Sequence, residues 1–282
     1  MLDPEAVKRA IGKRSEPQVI EYGWKDVVLY ALGIGAQVDE LQFLYENVEG
    51  GLKMFPSIGV LMLRGQRIVL SELNLDPPRN IHGEHRLRLH RLFPPEGKLV
   101  TVSEVVNIYD KKKVAVITVR TDVSTEAGDL VCENEAVLVY LGGGGFGGER
   151  GPKSEQVAPP DGVDPDFRIS YAVPENQAAL YRLNGDYNPL HIDAERAKDA
   201  GFDRPILHGL CTFGYATRAI LYGACDGDVE RFEEFKARFS APVLPGDTLT
   251  TEGWKDQDGR YAISASTDRG VVMSNAYAVV TP

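Results

Sequence analysis

The chain reads as an α+β protein assembled from two copies of one unit, each a long helix laid against a strongly curved antiparallel sheet. Three observations predict this. A glycine- and proline-rich stretch divides the 282 residues near their middle. Similar short sequences recur in the same order on its two sides. Each half passes from helical spacing into alternating, β-branched and aromatic runs, the mark of helix packed on antiparallel sheet.

The divider is "LGGGGFGGERGPKSEQVAPPDG", residues 141–162. Dense glycine followed by charge and proline predicts an exposed, flexible connector over 142–162, between repeats at 1–141 and 163–282. A phosphate-binding loop is excluded, because no Gly-Lys-Ser/Thr follows and no helix opens directly after the glycines. Across the divider, "YALGIG" at Tyr30 answers "YRLNGD" at Tyr181, and "PPEGKLVT" at Pro94 answers "VLPGDTLT" at Val243. "ENEAVLVYL" at Glu133 answers "SNAYAVVTP" at Ser274, and each half holds one His-Gly pair, His82-Gly83 and His208-Gly209. The offsets shrink along the chain, as deletions in surface loops would make them.

In the C-terminal half, "PENQAALYRL" (174–183) opens with Pro and Glu and predicts a short helix. After His208, the three- and four-residue spacing of Leu210, Phe213, Ala216, Ile220 and Leu221 predicts a long, largely buried helix. Strand patterns follow at 232–244, 247–257, 260–270 and 271–280, punctuated by "PGD", "DG" and "RG" turns. The N-terminal half repeats the scheme with strand patterns at 98–111, 113–125 and 130–141.

Composition narrows the classes of function. Acidic residues outnumber basic ones 41 to 31, for a net charge of −10, which speaks against a nucleic-acid partner. An anionic small ligand remains open, since a local cluster can oppose the global sign. Cys132, Cys211 and Cys225 form no zinc or CxxC pattern and fit a reducing compartment. No apolar run approaches the roughly 20 residues that span a bilayer, so no membrane is expected. The N-terminal sequence has no signal-peptide pattern, and "AVVTP" is not a peroxisomal tripeptide. A cytoplasmic protein is expected, with the peroxisome as the alternative.

The chemistry concentrates in "GDYNPLHIDAERAKDAGFDRPILHG", 185–209. Gly185 permits a turn and Pro189 stiffens the chain, so the bend between Asp186 and His191 can aim a carboxylate and an imidazole at one point. A histidine titrates near neutral pH and can take or give a proton. The segment offers no serine, threonine or cysteine nucleophile. His208-Gly209 stands where the long helix begins, and free N–H groups there suit a negative oxygen. Gly209 N–H is therefore a candidate oxyanion donor. The plainer reading is an Asx turn for Asp-x-Asn-Pro and a simple cap for His-Gly, and both readings stand at this point. His82, His85 and His90 lie on a basic, strand-like run without carboxylate partners, and no metal is expected there.

The block "LYRLNGDYNPLHIDAERAKDAGFDRPILHGLCTFGYATRAI", with "YALGIGA", "HGEHRLRLHRLFPPEGKL", "YDKKK" and "KARFSAPVLPGDTL", resembles the (R)-specific 2-enoyl-CoA hydratases (hydratase 2, the MaoC-like group). Across both halves the chain is similar to the hydratase unit of type 2 peroxisomal multifunctional enzymes. The resemblance implies a double hot-dog fold and addition of water to trans-2-enoyl-CoA, giving (3R)-3-hydroxyacyl-CoA. It implies Asp186 and His191 as the pair that activates water, Gly209 N–H as the donor to the thioester oxygen, and Asn188 as support. It also places His82, Gly83, Lys111, Tyr187, Pro189, Leu190 and Phe239 at the substrate. No cofactor beyond the CoA of the substrate, no metal and a homodimer are implied. With Gly35 opposite Asp186, the N-terminal half lacks the pair, and the resemblance gives it the role of accommodating the acyl-CoA. Thioester hydrolysis and binding without turnover remain as alternatives.

Overall fold

The computed structural model describes residues 1–153 and 155–281; Ser154 of the 142–162 connector and Pro282 of the 163–282 repeat lie outside them. The chain begins with helix α1 (Pro4–Ala10), strand β1 (Gln18–Tyr22), and helices α2 (Trp24–Gly33), α3 (Leu41–Leu44) and α4 (Gln66–Leu70). Strands β2 (Asn80–Leu89), β3 (Gly97–Asp110), β4 (Val114–Thr125), β5 (Leu130–Leu141) and β6 (Phe167–Ala172) follow. Then come helices α5 (Gln177–Tyr181), α6 (Ala194–Asp199) and α7 (Gly209–Ala224). Strands β7 (Phe232–Phe239), β8 (Thr248–Lys255), β9 (Arg260–Thr267) and β10 (Gly270–Val280) complete the chain. No helix among the described residues is long and apolar enough to cross a membrane.

Two compact units are woven from separated segments. The first gathers residues 1–21, 62–91 and 98–156, the second residues 22–61, 92–97 and 157–282. In the first, strands run in the order β1-β3-β4-β5-β2. Antiparallel β3 and β4 pair from Leu99 with Thr125 to Asp110 with Ala115. Their alternation puts Val105, Ile117, Val119 and Ala136 on one face, packed with Val7 and Ala10 of α1 and Val69 of α4. α1 starts because the Asp3 side chain accepts from Glu5 N–H and Pro4 supplies a helical φ.

The long helix expected in each repeat occurs in one of them. In the N-terminal half, residues 56–79 break into a 3₁₀ turn (Pro56–Leu61), α4 and two further short 3₁₀ turns. Gly65 at φ 99° and Asn74 at φ 43° interrupt the helical path, and Pro77 and Pro78 end it.

The glycine run, expected as a loose connector, is folded against the first unit. The Asp110 carboxylate accepts N–H bonds from Gly145 (2.8 Å), Gly147 (2.9 Å) and Lys112 (2.8 Å). These donors, Gly145 first, hold its pKa below the ordinary carboxylate value. A side chain at Gly144 would collide with the Lys112 backbone, so the close turn needs glycine there.

In the second unit the strand order is β7-β10-β9-β8-β6, and α7 is the long helix predicted after His208. Every residue from Cys211 to Leu221 is buried. α2 packs beside α5, where Gln177 Nε2 donates to the last carbonyls of α2 at Leu32 O (3.0 Å) and Gly33 O (2.6 Å). Such carbonyls have no partner inside their own helix. Arg218, buried on α7, is paired with Glu40 through Nε (2.9 Å) and Nη2 and lies over the Tyr171 ring at 4.0 Å. The compact second unit thus draws its helix α2 and one ion-pair partner from the N-terminal half of the sequence.

Candidate active site

The site is built on the loop between α5 and α7, all within the second unit. A 3₁₀ turn after α5 ends at Gly185, whose φ of 110° reverses the chain as few side-chain-bearing residues would allow. Two nested side-chain turns follow. Asp186 Oδ1 accepts from Asn188 N–H (3.2 Å), and Asn188 Oδ1 accepts from Leu190 N–H (3.1 Å). The second starts the 3₁₀ turn Pro189–His191, with proline at its first position. The Asx turn weighed as the plainer reading is therefore present, and it leaves Asp186 Oδ2 outside the turn.

His191 is 8% exposed. Its Nδ1 lies 2.9 Å from Ile206 O, and a carbonyl can only accept, so Nδ1 carries the hydrogen. Nε2 is left with its lone pair. Burial lowers the His191 pKa, and the bond to Ile206 and the charge of Asp186 oppose that only in part. The result is a neutral imidazole positioned as a base.

His208, 1% exposed, stands at the N-cap of α7. Its Nε2–H donates to Asp186 O at 3.2 Å, and its ring stacks on His191 at a centroid distance of 3.8 Å with a 29° tilt. The Tyr181 ring packs on it at 5.0 Å. Nδ1 of His208 is buried without a hydrogen-bond partner. Its pKa is pushed down to about 4, first by burial and then by neighbouring His191.

One side-chain ligand atom from each of Asp186, His191 and His208 lies within 4.8 Å of the others. A single water between carboxylate and imidazole spans such a distance with two ordinary hydrogen bonds. The same trio is the one group of three among the described residues whose spacing would suit a metal. Ile206 O and Asp186 O each already engage one nitrogen of these rings, Nδ1 of His191 and Nε2 of His208.

Gly209 opens α7, and the first helical bond runs from Thr212 N–H to His208 O at 3.1 Å. The Phe239 ring faces it, 3.6 Å from where a Cβ would stand. Tyr187 is 61% exposed, beside the exposed Asp186 carboxylate, and Arg182 lies 5.3 Å over its ring. A cavity of about 250 Å³ opens beside His191, with Ala178, Ala179, Ile192 and Pro205 among its walls and Glu175 and Arg204 as its charged members.

The remaining expected residues lie in the first unit. His82 Nε2 meets His85 Nδ1 at 3.3 Å, and His85 Nε2 meets Asn134 Oδ1 at 3.1 Å. Burial, then His82, pushes the His85 pKa down to about 3. β2 shifts register between His82 and Glu84, and a Cβ on Gly83 would stand 3.0 Å from Val139 Cγ2. Lys111 closes the β3–β4 hairpin, with Nζ 5.7 Å over the Tyr109 ring. His90, expected without a carboxylate partner, pairs with Glu133 at 2.7 Å, apart from the His82–His85 contact.

Among the second-unit residues, the structure brings Asp186, His191, Gly209 and Phe239 into one neighbourhood. Sequence reasoning noticed the His208-Gly209 pair but assigned a role to the glycine alone. A stack between rings 17 positions apart leaves no local signature.

Comparison with known proteins identifies the family. Residues 156–275 match the MaoC like domain, and residues 20–142 match the MFE-2 hydratase 2 N-terminal domain. A Dictyostelium discoideum protein named probable enoyl-CoA hydratase 2 is 39% identical over 98% of this chain and 97% of its own. The Mus musculus peroxisomal multifunctional enzyme type 2 is 38% identical over 97% of this chain, which covers 38% of that longer protein. Among solved structures, a MaoC-like dehydratase from Phytophthora capsici superposes with a TM-score of 0.88 at 31% identity, covering 98% of this chain and 97% of that one. A Mycobacterium tuberculosis protein described as a double hotdog fold superposes at 0.61 with 16% identity, covering 96% of each chain, and supports the fold alone. Strand order, loop and relatives agree, and the chain belongs to the MaoC-like hydratase 2 family, with its double hot-dog fold.

Proposed function

We propose that this protein adds water to trans-2-enoyl-CoA thioesters to give (3R)-3-hydroxyacyl-CoA, and catalyses the reverse dehydration, in fatty-acid metabolism. The observation that carries the reading is the Asp186 carboxylate and the His191 ring, with one oxygen and one ring nitrogen within 4.8 Å of each other, close enough to share one water. His191 Nε2 takes a proton from that water while Asp186 accepts a hydrogen bond from it and orients its oxygen. The oxygen forms a bond to C3, and the C2–C3 π electrons shift through the thioester onto its carbonyl oxygen. Gly209 N–H, free at the helix start, donates to that oxygen as charge builds. Return of the proton to C2 on the same face completes a syn addition and regenerates neutral His191. The reaction so written needs no metal or redox cofactor.

Other residues take supporting roles in this reading. Tyr187, Asn188, Pro189, Leu190 and Phe239 contact substrate in the C-terminal repeat, 163–282. His82, Gly83 and Lys111 serve the N-terminal repeat, 1–141, in accommodating acyl-CoA, with the Lys111 ammonium paired to a CoA phosphate. The protein works as a homodimer. Three buried, unpaired cysteines support a reducing, cytoplasmic setting.

The test follows the absorbance of trans-2-decenoyl-CoA with wild type and Asp186→Asn, together with thiol release and the configuration at C3. Expected are loss of the conjugated chromophore without thiol, an (R) product, and a variant slower by about 10²-fold or more. Thiol release would move the protein to thioester hydrolysis, and binding without reaction would leave the loop a turn.

A further inference from the structure

The His208 ring carries a consequence beyond the Asp186/His191 reading on which it rests. During hydration His191 becomes an imidazolium for as long as it holds the water's proton. Whatever packs on its face then decides what that charge costs. The group that packs there is the His208 ring, stacked at 3.8 Å, and its tautomer is set by its bond to Asp186 O. Nε2 carries the hydrogen and the buried Nδ1 meets no partner that a second proton could serve, so the ring is neutral and Nδ1 holds a lone pair. A neutral aromatic face is attractive to a cation, whereas a second imidazolium would repel it.

We propose that His208 is a positioning residue for hydration, holding Asp186 by its backbone carbonyl and presenting a neutral ring face to the transient His191 imidazolium. One side chain thereby ties together the two members of the reacting pair, which belong to the same loop but to different turns of it. Being buried at a helix N-cap, it is fixed to the scaffold by α7, and the Tyr181 ring backs it at 5.0 Å. The orphaned Nδ1 is the cost of the arrangement. A leucine would pack there without stranding a polar atom, so packing alone does not account for histidine. The titratable and charged groups around the two rings are Asp186, Tyr181 and Arg182 on the His208 side and Glu175 and Arg204 at the cavity beside His191. Burial, then neighbouring His191, lowers the His208 pKa to about 4, so the ring is neutral near neutral pH.

Two variants separate the two roles. His208→Phe keeps a ring face and loses the donor to Asp186 O; His208→Gln keeps a donor and loses the face. Each is read twice, by kcat and KM on trans-2-decenoyl-CoA and by NMR titration of the His191 ring nitrogens in the free protein. Expected is a fall of about tenfold or more in kcat for both variants, with KM changed by less than about threefold. In His208→Gln the His191 pKa is expected to fall below the wild-type value, since its cation loses a stabilising face; in His208→Phe it stays near wild type. A merely structural role predicts the opposite sign, because a loosened loop admits water and lets His191 climb back toward about 6.5. That rise in His208→Gln, or kcat within about twofold of wild type in both variants, overturns the proposal. Absence of turnover by the wild type itself would sink the hydratase reading, while the NMR titration would still judge His208.

Discussion

At the scale of single residues, the candidate site holds two histidines whose tautomers are set by backbone carbonyls of their own loop. Ile206 O holds the hydrogen on Nδ1 of His191, and Asp186 O holds it on Nε2 of His208. These bonds and the charge of Asp186 favour the charged forms, but not enough to offset burial. Burial dominates both, and that has a pH consequence. A base with a lowered pKa stays unprotonated as the solution turns acid, so the acid limb of kcat/KM is expected below the ordinary histidine value of about 6.5. Stability runs the other way. His85 and His208 titrate at about 3 and about 4 when folded, so the unfolded chain binds more protons between those values and about 6.5. Stability is therefore full above that window and is lost as pH falls through it, by roughly 1–2 kcal/mol per histidine at pH 5. Urea unfolding at pH 7 and pH 5 checks this. A His85→Gln variant is expected to show a smaller drop, and an equal drop would locate the effect elsewhere.

At the scale of elements, α7 carries glycines for two different reasons. Gly214 faces α2, where a Cβ would fall inside the contact distance of Ile34 Cγ2, so helix approach there depends on having no side chain. Gly209 has room, with 3.6 Å between a built Cβ and the Phe239 ring, so packing does not require it. Substitution by alanine separates the two. Gly214→Ala is expected to destabilise by roughly 1–3 kcal/mol through overpacking, seen as a lower urea midpoint at unchanged slope. Gly209→Ala is expected to leave the midpoint unchanged or higher, since alanine is the better helix former, and yet to lower kcat/KM by about tenfold or more. A Gly209→Ala enzyme of full activity would count against that N–H as the oxyanion donor, since the proposed close approach of the oxygen to a glycine backbone leaves little room for a methyl. The bend that holds Asp186 is built with similar economy, from Gly185 at positive φ, two side-chain turns and a proline.

At the scale of the molecule, the compact unit that contains Asp186 and His191 is not a contiguous piece of sequence. It incorporates residues 22–61, and with them α2, whose terminal carbonyls bind Gln177, and Glu40, whose carboxylate holds buried Arg218. A polypeptide of residues 157–282 alone would leave the Arg218 guanidinium without its anion inside an apolar helix face. It would also bare the faces of Tyr181 and Cys211 that meet α2. Loss of one partner of a buried pair alone costs about 3–5 kcal/mol, a large part of a domain's net stability. Such a fragment is expected to show no cooperative thermal transition by circular dichroism. A sharp transition in the fragment would show that the C-terminal repeat is self-sufficient.

Much of this was legible in residues read in order. The duplicated unit, the antiparallel runs and the long helix after His208 each rest on local patterns of period two or 3.6, or on repeated short words. The "GDYNPLH" bend is equally local, because glycine, proline and asparagine act on their own neighbours. By itself the sequence therefore determined the fold class, and it singled out the candidate loop with Asp186 and His191 in it. It expected from the duplication a long helix in the N-terminal half too, where the chain is instead broken at Gly65, Asn74 and the Pro77-Pro78 pair. It read the glycine run as loose because the acceptor that organises it, Asp110, lies some 35 residues earlier. Only the tertiary structure decided that His208 stacks on His191 and that residues 22–61 complete the unit holding the site. Those contacts join positions far apart in the chain. They are selected by packing and burial, which no local periodicity encodes.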